Sequence, residues 1–259
     1  MNELEQRMLN LLINLKNNHG VIGVKAEFED EGASFNDIFR LKQLADIAEL
    51  ELTIKIGGCS AVNDMHQSKQ LKVNSIAAPM IESPYAAKKF LKAAEKIFNN
   101  NTKLYINIET KYALNFINEI LNMDFTGIVL GRTDLACSSG LLSNDVNNER
   151  ILEIAKEISF LAAKSGKEYT IGGGISSLSI PFFNEMPYLS KFETRKVVFD
   201  AKKALNLSVE EGILKAVDFE LMWLKNNQEN YNEQSLEYKK RIEILKSRFS
   251  VDNLGNNIY

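Results

Sequence analysis

The feature that most constrains this chain is a rhythm of short β-rich runs alternating with stretches of helical spacing. The runs are "VIGVKAEFE", "LTIKI", "SIAAPMI", "LYINI", "GIVLG", "EYTIG" and "ETRKVVF", each rich in β-branched or aromatic residues. Seven strands follow from this, nearly all succeeded by helices. Such alternation implies a parallel sheet with helices on its faces. Its length and regularity favour an α/β TIM (β/α)8-type barrel, and 259 residues suit a single large domain of that class. No eighth run stands out, which keeps an open doubly wound sheet as the alternative.

The helices between the runs carry their own signals. Leu4, Met8, Leu11, Leu12 and Leu15 recur at helical spacing ahead of Gly20, a stop signal. Ser83 and Pro84 suit the N-cap and first turn of a helix that buries Phe90, Leu91, Ala94, Ile97 and Phe98. "YALNFINEIL" and the stretch from Glu149 to Lys164 read as two further helices. Residues 1–207 are assigned to the barrel and 208–259 to a helical extension. Ser208 and Glu211 form a capping-box pattern there, and Tyr238, Ile242, Leu245 and Phe249 follow at 4-3-4 spacing. That extension packs either on the barrel of its own chain or on a partner subunit, and "DNLGNNIY" reads as a loose tail. A homo-oligomer is expected.

Charge and composition exclude several functions. A net charge of −3 without a basic run gives no nucleic-acid signal. No apolar stretch approaches the ~20 residues of a membrane span, and the N-terminus lacks a signal-peptide pattern. Cys59 and Cys137, without a CxxC pair, argue against a disulfide framework and a zinc site. A cytoplasmic location is expected.

Two of the runs finish on an acid. Glu109 follows "LYINI" and Asp134 follows "GIVLG", one βα unit later. An unpaired charge gains nothing in a core, so these carboxylates face water, a partner or a cation. Strand ends and the loops beyond them converge on one face of a barrel, and neighbouring strands lie about 4.8 Å apart. Both carboxylates are thus in reach of one Mg²⁺ or Mn²⁺ with positions left for water and a chelating ligand. The structural alternative is that Glu109 caps the next helix and Asp134 caps a turn before Ser138.

The stretches around these acids resemble a known family. "NIETKYALNFINEIL" followed by "FTGIVLGRTDLACSSG" is similar to the paired signature of the HpcH/HpaI aldolase and citrate lyase beta subunit family. Upstream, "LKVNSIAAPMIESPYAAKKFLKA" resembles the family's Pro-Met-Ile-Glu segment, and the similarity spans roughly residues 21 to 200. The resemblance implies a modified TIM barrel that holds a divalent metal through Glu109 and Asp134. It also implies making or breaking of a carbon–carbon bond beside a carboxylate, through a pyruvate- or acetyl-type enolate. Two positions depart from the pattern. Lys55 stands where family members carry an arginine, which keeps the charge but loses the planar fork. "KAEFEDEGAS" lacks the histidine of the aldolase branch and looks more like the acidic stretch of the citrate-lyase branch. Glu29, Glu31 or a metal-bound water is then the candidate general base. His19 and His66 read as surface residues.

Further residues complete the candidate site. Lys25 and Lys55 interrupt or end apolar strands, where they anchor a small anionic substrate, act as a Schiff-base nucleophile, or simply pair with nearby acids. Gly172, Gly173 and Gly174 end a strand and either offer bare amides to an anion or make a tight turn. Arg195 binds substrate if it faces the barrel mouth and pairs with a helix acid if it faces outward. Pro79, Met80 and Glu82 are expected in the site wall, with Glu82 behind the metal ligands, and Cys59 as a packing residue. The leading function is a metal-dependent lyase or aldolase. A Schiff-base aldolase and a non-catalytic ligand-binding barrel are the alternatives.

Overall fold

Eight strands close into a barrel in the order of the sequence: β1 (Val21–Glu27), β2 (Glu51–Lys55), β3 (Ser75–Ala78), β4 (Lys103–Ile108), β5 (Gly127–Gly131), β6 (Glu168–Gly172), β7 (Lys191–Glu193) and β8 (Val197–Asp200). The computed structural model describes residues 1–98, 101–228 and 235–248. The eighth strand lies inside the seventh sequence run. "ETRKVVF" breaks at Thr194–Lys196 into β7 and β8, which pair antiparallel with Phe192 opposite Phe199. β8 also runs antiparallel to β1, so the sheet is parallel from β1 to β7 and mixed at its closure. The turn carries neither glycine nor proline, which is why the sequence conceals it. Thr194 takes over their role: its Oγ1 accepts from Val197 N at 3.1 Å, and its own N–H donates to Val197 O at 2.9 Å.

The helices are α1 (Glu3–His19), α2 (Phe35–Ile47), α3 (Val62–Gln70), α4 (Pro84–Ile97), α5 (Lys111–Leu114), α6 (Ile117–Leu121), α7 (Arg132–Ser138), α8 (Glu149–Lys164), α9 (Ile180–Asn184), α10 (Ala201–Leu205), α11 (Val209–Gln228) and α12 (Ser235–Arg248). α1 starts with a capping box between Asn2 and Glu5 and ends at Gly20, whose φ of 73° is left-handed. A side chain at Gly20 would meet Ala204 N at 2.8 Å, so the residue also lets α1 close against α10. The single helix expected over "YALNFINEIL" is two short ones, α5 and α6, broken at Asn115–Phe116.

Apolar side chains fill the space between barrel and helices, including the stacked rings of Phe183, Phe192 and Phe199 at 4.8 and 4.6 Å. α11 belongs to that core: its Ile213, Ala216, Phe219, Met222 and Trp223 are buried in it. Ile242 and Leu245 of α12 pack in turn on Val217, Leu221 and Leu224 of α11. The C-terminal helices therefore cover the barrel of their own chain. The Tyr238 side chain, Phe249 and the segment "DNLGNNIY" lie outside the described residues. Among those described, no helix is long and apolar enough to cross a membrane.

Candidate active site

A cavity of about 200 Å³ opens where the strands end, lined from β1 by Lys25 and Glu27, from β2 by Lys55, and from β4 by Asn107 and Glu109. Gly131, Thr133 and Asp134 follow from β5 and α7. Gly172–Gly174 border it after β6, and Glu193–Arg195 come from the β7–β8 hairpin. The C-terminal helices complete it with Val217, Glu220, Arg241 and Leu245.

Glu109 stands one residue beyond β4 and is 2% exposed. Strand alternation puts Asn107 on the same side, and Asn107 Nδ2 donates to Glu109 Oε2 at 3.2 Å. The Met80 amide donates to Oε1 at 2.7 Å. Met80 holds a φ of 50°, unusual for a side chain of its size, at the bend that aims this amide. Lys55 Nζ approaches Oε2 to 3.7 Å. Asp134 lies farther along than the sequence suggested. β5 ends at Gly131 and α7 begins at once, so Asp134 occupies the first turn of α7 and does not end a strand. Burial raises its pKa, and the Glu109 charge raises it further against the opposing pull of Lys55.

These residues suit a hard divalent cation. Asp134 is a carboxylate whose charge is disfavoured by burial and by a neighbouring acid, which a cation would relieve. Asn107 Oδ1 is buried without a hydrogen-bond partner beside them. Carboxylate and amide oxygens are the donors Mg²⁺ and Mn²⁺ take. Among the described residues no group of three His, Cys, Asp or Glu gathers around one point. The protein's share of such a site is thus two carboxylates plus neutral oxygen, with the rest left to water and substrate.

Lys25 and Lys55 are held as cations. Lys25 lies 2.6 Å from Glu193 and 3.0 Å from Glu27; burial works against its charge, but the two carboxylates outweigh it and raise its pKa. Lys55 contacts Glu29 at 2.7 Å, and Glu109 and Glu27 overcome burial to raise its pKa as well. A Schiff-base nucleophile needs the opposite shift, so the geometry opposes that alternative at both lysines. Glu27 shares in this network. Burial would raise its pKa, but Lys25, Lys55 and Arg195 hold it at about 2.

Other expectations are corrected. Glu31 does not line the cavity; Arg195 holds it at 3.1 Å and Lys196 also binds it, so it clamps the β7–β8 hairpin. Arg195 borders the cavity and also pairs with Asp30 at 2.5 Å, an acid of the loop after β1 and not of a helix. Glu82 is exposed and outside the cavity wall, where the Met80 backbone acts instead. His19 is no surface residue. It is buried between α1 and α11, with Nδ1 3.2 Å from Ser208 O and Nε2 3.0 Å from Lys215 Nζ. His66 is exposed as expected, and Cys59 packs against the core.

The glycine loop is a close-packed turn. A side chain on Gly173 (φ 81°) would come within 2.7 Å of Thr133 N. Its anchor is Arg132, which is wholly buried and bridges Gly172 O, Gly173 O, Val146 O, Asn147 Oδ1 and Ser179 Oγ. Its guanidinium lies over the rings of Phe182 and Phe183 at 4.9 and 5.9 Å. Burial lowers its pKa to about 9. The sequence reading passed over Arg132, Glu27, Asn107, Glu193, Glu220 and Arg241. Glu27 was legible, since it ends a strand as Glu109 nearly does, and Asn107 was legible from its place two residues before Glu109. Glu193 was masked by the hidden strand break.

The sequence model of the HpcH/HpaI aldolase/citrate lyase family matches residues 39–174, just over half of the chain. No curated protein sequence matches it. Solved structures share its fold. An HpcH/HpaI aldolase from Desulfitobacterium hafniense DCB-2 superposes with a TM-score of 0.60 at 12% identity, over 72% of this chain and 82% of the other. An HpcH/HpaI aldolase/citrate lyase family protein from Burkholderia cenocepacia J2315 gives 0.58 at 12% identity, over 84% and 100%. Macrophomate synthase gives 0.52 at 14% identity, over 82% and 88%.

Proposed function

The chain belongs to the HpcH/HpaI aldolase/citrate lyase family, and from that premise we propose that it is a divalent-metal-dependent carbon–carbon lyase or aldolase. Its substrate is a small 2-oxo acid or a related acyl or sugar-acid compound. The observation that carries this reading is the convergence of Glu109, Asp134 and Lys55 on one cavity at the strand ends.

Glu109 and Asp134 would hold Mg²⁺ or Mn²⁺, with Asn107 Oδ1 at their side. When bound, the cation supplies Lewis acidity against negative charge developing on an oxo group. Lys55, kept cationic by Glu109 and Glu27, binds the substrate carboxylate as a single point charge in place of a planar fork. The Met80 amide and Asn107 fix the Glu109 carboxylate so that it does not swing when ligand arrives. Neither Glu29 nor Glu31 lines the cavity, but Glu29 contacts Lys55, which does, at 2.7 Å and is the acid to which we assign proton transfer, whereas Glu31 is held by Arg195 and Lys196. The C-terminal helices limit access of water to the mouth.

A thermal-shift screen of divalent ions crossed with small 2-oxo acids tests this. Joint stabilisation by Mg²⁺ or Mn²⁺ and one oxo acid is expected, by linkage, and it should vanish in Glu109→Gln. Absence of any response in the wild type would overturn the reading.

A further inference from the structure

Five charged side chains of the cavity wall alternate in sign: Glu193 of β7, Lys25 and Glu27 of β1, Lys55 of β2 and Glu109 after β4. Glu193 Oε1 lies 2.6 Å from Lys25 Nζ, which lies 3.0 Å from Glu27 Oε1. Glu27 and Lys55 are register partners on adjacent strands, and each favours the charged form of the other. Lys55 Nζ then stands 3.7 Å from Glu109 Oε2. None of the five is more than 8% exposed, so water screens these attractions weakly.

Lys55 is the member on which carboxylates compete. An ammonium that moved fully onto Glu109 would cover an oxygen that a divalent cation needs and set a like charge beside it. Glu109, Glu27 and Glu29 all attract it. Glu29 is 2.7 Å away, but its side chain is 28% exposed and it belongs to the loop after β1. Glu27 is fixed in the strand itself. It stays ionised, since Lys25, Lys55 and Arg195 hold its pKa at about 2 against burial. Lys25 shares its charge with Glu193, which leaves Glu27 able to attract Lys55 as well.

We propose that Glu27 is a positioning residue for the metal site: it holds Lys55 off Glu109, so that the Glu109 carboxylate is free to take a divalent cation. Lys25 and Glu193 fix Glu27 in that role from the other side. When Glu29 leaves Lys55 to accept a proton, Glu27 still holds the ammonium. This role presupposes the proposed function, for the cation at Glu109 and Asp134.

Calorimetry of Mg²⁺ binding to the full-length protein, without oxo acid, tests this in a double-mutant cycle. Glu27→Gln should weaken Mg²⁺ binding by about 10-fold as Lys55 moves onto Glu109, and Glu27→Asp should recover part of the loss. Lys55→Met should tighten Mg²⁺ binding, and in that background Glu27→Gln should change it by less than about twofold. Equal weakening in both backgrounds would mean that Glu27 acts on the cation through its own field, and would overturn the proposal. Unchanged or tighter binding in Glu27→Gln does the same. Lys55→Met that binds Mg²⁺ no more tightly than the wild type also overturns it, whether or not Glu27→Gln folds. A crystal structure of Glu27→Gln grown without divalent ions reads the shift directly: Lys55 Nζ should lie closer to Glu109 Oε2 than the 3.7 Å of the wild type, and an unmoved Lys55 refutes the role of Glu27. Wild-type protein that binds no Mg²⁺ refutes the metal reading alone, and the place of Lys55 in that crystal then decides the role of Glu27.

Discussion

A methyl group on Gly131 would stand 2.7 Å from Glu109 Oε2 and 2.8 Å from Glu109 Cβ. The last residue of β5 is thus a glycine because the acid beyond β4 leans across it. Gly131→Ala should move Glu109 away from Asn107 and the Met80 amide and cost about 1–3 kcal/mol of stability through overpacking. Denaturant unfolding gives the stability, and Mg²⁺-dependent thermal shift gives the second effect, a loss of most of the cation response.

Asp134 gives the pH dependence a sign. Its folded pKa lies above the ordinary 3.8, so the folded state binds this proton more tightly than the unfolded one. Stability then falls as pH rises from 3.8 through the raised value and levels off above it. Asp134→Asn removes this component, so the difference between the two stability curves without divalent ions should grow across that window. In the wild type, protons compete with the cation, and apparent Mg²⁺ affinity should rise over the same range.

Removing Lys25 leaves Glu27 and Glu193 buried and facing each other. Lys25→Met should destabilise the protein by about 3–5 kcal/mol at neutral pH. The loss should shrink in acid, where the two carboxylates protonate once the lysine is gone. A variant as stable as the wild type at pH 7 would mean that the network contributes nothing.

Arg132 joins the turn after β6 to the start of α7 through uncharged partners alone. Arg132→Met keeps much of the carbon chain and leaves several buried carbonyls without a donor, at a cost of about 2–4 kcal/mol. Hydrogen exchange should speed up first over residues 172–176 and 146–148, the segments it pins.

Because Lys25 and Lys55 are held protonated, borohydride reduction in the presence of pyruvate should leave both unmodified, as mass spectrometry of the peptides will report. An adduct on either lysine would reverse the choice between the two aldolase chemistries.

The strands from β1 to β6 and the face on which their ends meet were legible because alternation of apolar runs and helical spacing is a local property of the chain. Glu109 was legible for the same reason, as an acid placed where a strand stops. Asp134 was found, but its place on α7 was not, since the run stops at Gly131 as read while no side-chain cap there announces that a helix begins at Arg132. The β7–β8 hairpin escaped because Thr194 makes with a hydroxyl the turn that glycine or proline usually announces. The pairing of each cation, the clamp on Glu31, the burial of Arg132 and the arrival of Arg241 from α12 belong to tertiary structure. A charge in a sequence carries no record of its partner, and here Lys25 and Glu193 are 168 residues apart yet 2.6 Å from contact to contact. Local periodicity determined the barrel; only its closure decided which charges face one another inside.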